Sequence, residues 1–427
     1  MTKLYLILLT FSLVLQTEVQ AFETFDKVKI ASAKNAAISS SPDFMQEPVK
    51  GVSLFYLNGR DQEDLPQLIE KLYHGEKACK GTTIDIEKRL INTLQELKGS
   101  GVNWVRLLIG KGFYEIYQNR CNFDMQEVYP QLAKPHVEAI NHFLAFLTRP
   151  EFNFNIEIVL GGSKDFADAD NDIVFFESIL SQINKTNINM VMLGGDVQPS
   201  RVVNHARWIK RVFHYFDNHP HPDLKKLNYS FDTVTYRSAE DIQTYLQWVK
   251  QNLPTLSVVT LNLYVHLPKL VNQTTDSYYH QVISGALQIY RESGINKPLW
   301  IDEFGFKLET EQSPVTQSYQ QQKEYYERYF LSTLCAKNIS SQDSVPGFLW
   351  VVGNDRYLAD PSRDGPRTPF GLFADFSQNQ PITQPVWDIV QHYYRRSDCK
   401  KTRAIHLEQP VSICSDEQRI QITQSRH

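Results

Sequence analysis

The stretch Pro298-Leu299-Trp300-Ile301-Asp302-Glu303-Phe304-Gly305-Phe306 is the one on which the fold turns. Its apolar core, Leu299-Trp300-Ile301, is too short for a helix, follows a proline and is broken by Gly305, so it predicts a buried strand. The acid pair Asp302-Glu303 then stands at the strand's carboxyl end. In parallel sheets, and above all in barrels, that end projects catalytic groups into a ligand cleft; a strand end exposing two solvated acids is the competing reading.

Outward from this strand the chain alternates short apolar runs with amphipathic ones. The strands expected are Val49–Leu57, Val102–Ile109, Phe154–Leu160, Ile188–Leu193, Leu227–Tyr236, Leu256–Tyr264, the Leu299 strand and Gly347–Val352. Helices are expected from about Thr83 to Gly99, then over Pro135–Leu147, Ile173–Ile183, a segment carrying Val202 to Phe213 with Ser200 as its cap, Ala239–Gln251, Ser277–Ser293, Thr316–Ala336 and Gln384–Tyr394. Eight strand-then-helix units without a dividing linker predict an α/β fold, a single-domain (β/α)8 TIM barrel. An open doubly wound sheet would instead call for a glycine-rich phosphate loop after the first strand, and Leu57-Asn58-Gly59-Arg60-Asp61 is not one.

The 427 residues, 42% apolar and 12% aromatic, are those of a globular protein. Forty-four basic and 48 acidic side chains leave a net charge of -4 with no basic stripe, which argues against nucleic acid. Lys3, the apolar run Leu4–Leu15 and Val19-Gln20-Ala21 have the order of a secretory signal peptide. The expected organisation is a signal peptide over 1–21, an N-terminal extension over 22–47, the barrel over 48–396 and a polar tail over 397–427. Export as a secreted or periplasmic monomer with no membrane span follows from that reading. In such a compartment Cys79 with Cys121 and Cys399 with Cys414 are the expected disulfides, and Cys335 is left over as a buried thiol.

A barrel brings the residues at its strand ends into one cleft: Phe55 and Tyr56, Arg106, Asp196, Asn262 with Tyr264, Glu303, and Trp350. Arg106 lies inside the apolar run Trp104-Val105-Arg106-Leu107-Leu108, where an unpaired guanidinium would be costly, and Glu303 is its natural partner. The pair is read either as a structural ion pair or as a catalytic carboxylate held ionised. Two carboxylates on separate strands, one beside an arginine, with aromatic rings at the rim, suit glycoside hydrolysis: one acid protonates the leaving oxygen while the other attacks or activates water.

These residues carry a resemblance. Ile301-Asp302-Glu303-Phe304-Gly305 resembles the nucleophile motif on the seventh strand of the retaining (β/α)8-barrel glycoside hydrolases, the clan that includes the family-five cellulases and mannanases. Arg106 resembles the clan's arginine beside the nucleophile, Asn262-Leu263-Tyr264 its aromatic-bearing sixth strand, and Trp350 the tryptophan that floors the cleaved sugar's subsite. Pro369-Phe370-Gly371-Leu372-Phe373 with Pro385-Val386-Trp387 is similar to its closing hairpin and helix. The fourth strand departs from the pattern: where the clan has an Asn-Glu pair, this chain has Gly195-Asp196. Asp196 is then a recessed general acid, or another loop supplies the acid, or the cleft only binds.

The resemblance implies a cofactor-free enzyme acting on a β-linked polysaccharide or oligosaccharide. Glu303 and Asp196 are its catalytic pair, and Arg106, Asn262, Tyr264, Trp350 and Tyr56 bind substrate. The alternative is a carbohydrate-binding pseudo-glycosidase. Asp168-Ala169-Asp170-Asn171-Asp172 has the opening of a calcium loop without its glycine, and His219-Pro220-His221 reads as a solvated turn, so no metal is expected.

Overall fold

The computed structural model describes residues 49–54, 69, 72–73, 86–109, 134–162, 166–233, 238–265, 285–306, 322–327, 329–330, 347–350, 372–377, 380–383 and 385–395. All of them lie in one compact unit, Gln46–His427. The signal peptide, the extension, the tail, Phe55, Tyr56 and the cysteines Cys79, Cys121, Cys335, Cys399 and Cys414 lie outside the described residues.

Eight parallel strands form one sheet: β1 Lys50–Ser53, β2 Trp104–Leu108, β3 Asn155–Leu160, β4 Ile188–Val197, β5 Tyr229–Thr233, β6 Val259–Val265, β7 Leu299–Phe306 and β8 Gly347–Trp350. Their spatial order is β5-β4-β3-β2-β1-β8-β7-β6. The two ends of that series, β5 and β6, are joined through hydroxyl side chains: Ser230 Oγ donates to the Val258 carbonyl at 2.9 Å and Thr260 Oγ1 to the Phe231 carbonyl at 2.5 Å. The main-chain amide of Ser257 adds a bond to the Tyr229 carbonyl at 3.2 Å. The sheet is thereby closed as the (β/α)8 barrel expected.

Helices follow the strands: α1 Ile86–Gly99, α2 Lys134–Leu147, α3 Ala169–Leu180, α4 Val203–Asp217, the single turn α5 Pro222–Lys225, α6 Ala239–Asn252, α7 Gly285–Glu292 and, after a hairpin of β9 Phe373–Ser377 and β10 Gln380–Thr383, α8 Trp387–Arg395. Alternation along the strands sorts their side chains. Val105, Leu107, Ile156, Ile158, Val191, Leu193, Phe231, Leu261 and Ile301 join one apolar cluster with helix residues such as Leu94, Phe143, Phe176 and Phe213. The intervening residues face inward. Trp104 of β2 and Trp300 of β7, strands that are not neighbours, meet edge to face with centroids 5.2 Å apart.

Several expectations are corrected. Ser200 does not cap α4; its N-cap is Val202, with no side-chain cap bond. Gly305 does not end β7, which runs on to Phe306 beside β6. His219 is buried rather than solvated, its Nε2 3.3 Å from Glu177 Oε1 and its Nδ1 accepting from the His221 amide at 3.0 Å. In the acidic run, Asp168 caps α3 by accepting from the Asn171 amide at 3.0 Å, and Asp172 accepts from Trp208 Nε1 at 2.8 Å.

Among the described residues no helix is long and apolar enough to cross a membrane.

Candidate active site

Arg106 is the centre of the barrel's carboxyl end. It is fully buried, and from β2 it reaches carboxylates on three other strands. Its Nε lies 3.5 Å from Glu157 Oε2 on β3, its Nη2 3.4 Å from Asp232 Oδ1 on β5, and its Nη1 3.2 Å from Asp302 Oδ1 and 3.3 Å from Glu303 Oε1 on β7. Nη1 also donates to the Asp302 carbonyl at 2.7 Å. Only the interior of a closed barrel lets one side chain touch all three.

Asp302 and Glu303 both enter this cluster because β7 carries an extra residue. Leu261 pairs with Ile301 but the next residue of β6, Asn262, pairs with Glu303, and on the other side Ile301 and Phe304 pair with Gly347 and Leu349. In a regular strand, neighbours point to opposite faces; a bulge defeats that rule locally. Asp302 is sealed from solvent, whereas Glu303 keeps 8% exposure, the largest of the four carboxylates. Glu303 is therefore the acid a ligand reaches first.

Asn262 ties two of the acids together. Its Nδ2 donates to Asp232 Oδ1 at 3.1 Å and to Glu303 Oε2 at 3.4 Å, while its Oδ1, buried, accepts from no donor among the described residues.

Four acids around one cation are more negative charge than a buried site holds, so some keep their protons. Burial pushes the Glu157 carboxyl up to about 8 against the pull of Arg106, with the charges of Asp232 and Glu303 adding to the rise. Burial also raises Asp302 well above the ordinary carboxylate range; Arg106 opposes this, and Asp232 reinforces it by charge and by a hydrogen bond between the two carboxyls. Burial disfavours the guanidinium charge, but Asp302, Asp232, Glu303 and Glu157 outweigh it and hold Arg106 protonated.

Of the residues expected at the site, Arg106, Asn262 and Glu303 are brought together. Asp196, Tyr264 and Trp350 stand in β4, β6 and β8, and Trp350 is in register with Ser53, itself in register with Arg106; their side chains lie outside the described residues, as does Tyr56 altogether. The end of β4 is irregular. Leu193 pairs with Phe231 and Val197 with Thr233, so residues 194–196 bulge out of register within the strand. Gly194 has φ +78, and a Cβ there would sit 2.9 Å from Val197 and 3.0 Å from Trp208, so only glycine fits. A side chain on Gly195 would start 3.8 Å from Asp232 Oδ2. Just past the end of β4, His205 Nδ1 of α4 accepts from the Gln198 amide at 2.9 Å.

Glu157 and Asp232 were not foreseen. The signal that exposed Arg106, a charged residue inside a strand buried on both faces, is present in Asn155-Ile156-Glu157-Ile158 and in Tyr229-Ser230-Phe231-Asp232 as well.

No protein-family model matches the chain, and no curated protein matches its sequence. Solved structures match its fold. The broad-specificity GH5-4 endoglucanase from Clostridium longisporum superposes with a TM-score of 0.50 at 10% identity, over 84% of this chain and 99% of that one. The virulence factor SghA, solved with its substrate analogue salicin, gives 0.50 at 10%, over 81% and 94%. A family 39 glycoside hydrolase from the gut symbiont Bacteroides cellulosilyticus WH2 gives 0.45 at 14%, covering 82% of this chain but 64% of that enzyme, so the chain spans less than two thirds of it. The fold resembles that of the (β/α)8-barrel glycoside hydrolases.

Proposed function

We propose that this protein is an exported glycoside hydrolase that cleaves β-linked glycans by a retaining, two-carboxylate mechanism. The observation that carries this reading is Glu303: a carboxylate of the barrel's parallel sheet, 3.3 Å from a buried arginine, bonded by Asn262 and the most exposed of the four acids, though itself largely buried. Arg106 beside Oε1 favours a charged carboxylate, which suits Glu303 to attack an anomeric carbon, and the Asn262 amide holds its other oxygen, Oε2. Asp196, across the barrel on β4, is the acid that protonates the leaving oxygen. Its proton goes to the departing aglycone oxygen as Glu303 forms an ester with the anomeric carbon; the Asp196 carboxylate then takes a proton from water, whose oxygen displaces Glu303 and frees the sugar. Trp350, Tyr264 and Tyr56 offer flat faces to the sugar rings. The amino-terminal run Leu4–Leu15 supports export.

The fourth strand favours a second reading. Gly195-Asp196 presents a shorter acid than an Asn-Glu pair does, which suits a cleft that binds glycan without cleaving it. Incubation with a panel of aryl β-glycosides and β-linked polysaccharides separates the two. Hydrolysis lost in Glu303→Gln with binding preserved establishes the enzyme; binding without hydrolysis by the wild type establishes the lectin-like cleft.

A further inference from the structure

Glu157 is the acid of the cluster for which the proposed reaction has no use. It is fully buried on β3, in register with Arg106, and neither of its oxygens accepts a hydrogen bond among the described residues. Its contact with Arg106, 3.5 Å from Nε, is the longest of the four. The guanidinium's two terminal nitrogens are committed elsewhere, to Asp302, Asp232 and Glu303. A carboxylate there has only the 3.5 Å contact with Nε, without a hydrogen bond, to offset its burial, whereas a carboxylic acid is a buried polar group at smaller cost.

We propose that Glu157 is a positioning residue that stands under Arg106 as a neutral carboxylic acid, leaving the guanidinium to Glu303, and that its ionisation sets an alkaline limit on the site. The groups facing it are Arg106 from β2, Asp232 from β5 and Asp302 and Glu303 from β7; its register partner on β4, Met190, carries no charge. When Glu157 loses its proton, a full charge beside Nε competes for the cation that Glu303 holds at 3.3 Å. The guanidinium's pull on Glu303 from Nη1 is then weakened by a second full charge at Nε. The limit falls near the pH of about 8 at which burial places this group. This extends the reading of Glu303 as nucleophile, yet its first test does not depend on catalysis.

That test is a titration by carbon-13 NMR of protein labelled at glutamate side-chain carboxyls, which leaves Asp302 and Asp232 silent. One glutamate should titrate near 8 in the wild type, remain raised in Glu303→Gln though lower for want of the Glu303 charge, and be absent from Glu157→Gln. If no glutamate titrates more than about two units above the ordinary value, or if the one that does vanishes in Glu303→Gln, the proposal is overturned. The wild type and the Glu303→Gln protein decide this even if Glu157→Gln does not fold. Where hydrolysis is detected, kcat/KM should fall about tenfold per pH unit beyond the limit, and Glu157→Gln should lack that limb. An identical alkaline limb in both proteins would remove Glu157 from control of the site.

Discussion

Asn262 and Asp232, on adjacent strands that share no main-chain ladder at this level, are joined by a side-chain bond of 3.1 Å, and the same amide nitrogen reaches Glu303. Asn262 is an amide among the acids Asp232, Glu303, Asp302 and Glu157. Asn262→Asp removes the donor and adds a fifth carboxyl. The new group, buried among like charges, has its pKa raised above the unfolded value, so its folded form is at full strength in acid and loses stability as pH rises through the raised pKa. We expect a loss of about 3 kcal/mol at neutral pH that shrinks on acidification, read from denaturant midpoints across the pH range.

Arg106 holds the cluster together, so replacing it leaves the carboxylates without their counter-charge. Arg106→Met should cost about 3 to 5 kcal/mol at neutral pH, as removal of one side of a buried ion pair does. Stability should recover in part as the acids take up protons. A Tm unchanged at neutral pH would mean that the acids are already neutral without the guanidinium.

The distribution of what sequence reveals follows from this chemistry. The eight strands and the helices between them were legible because the strands are bounded apolar runs and the helices repeat their apolar residues every three or four positions. Of the helix expected over Thr316–Ala336, the described residues 322–327 and 329–330 are helical. Arg106 and Glu303 were legible as a charge out of place and as a motif. The bulge was not, because alternation admits either Asp302 or Glu303 to the interior, and only the pairing with Asn262 shows that both enter. Glu157 and Asp232 escaped for a different reason: a single acid in a strand reads as a solvated face until the strand is known to be buried on both sides. The cap of α4 was misplaced because residues 198–200, after the β4 irregularity, lengthen the turn past Ser200 to Val202.

Gly101 is a packing requirement. With φ +86 it lets the Tyr394 carbonyl at the end of α8 approach so closely that any Cβ would overlap it. Gly101→Ala should destabilise by more than about 1 kcal/mol in denaturant titration, since the backbone conformation and the contact both oppose it. A neutral result would show that α8 can withdraw from the start of β2 at little cost.

Asp196 carries the most exposed part of the proposed mechanism. In retaining enzymes the two carboxyl groups stand about 5 to 5.5 Å apart, and an aspartate in place of a glutamate withdraws its oxygens by about 1.5 Å. That brings the gap near the lower end of the inverting range, about 6.5 Å, where a water fits between the acids. Retention is still the expected outcome, because Arg106 pairs with Glu303 at 3.3 Å, while Asp196 stands on another strand, within its irregular residues 194–196. A general acid matters most when the leaving group is poor. Asp196→Asn should therefore slow an alkyl or sugar leaving group by about 100-fold or more while an activated aryl glycoside loses far less. The stereochemistry of the first-formed sugar, followed by proton NMR, should show the configuration of the substrate retained. Equal effects on both leaving groups would move the acid to another residue, and an inverted product would make Glu303 the base that activates water.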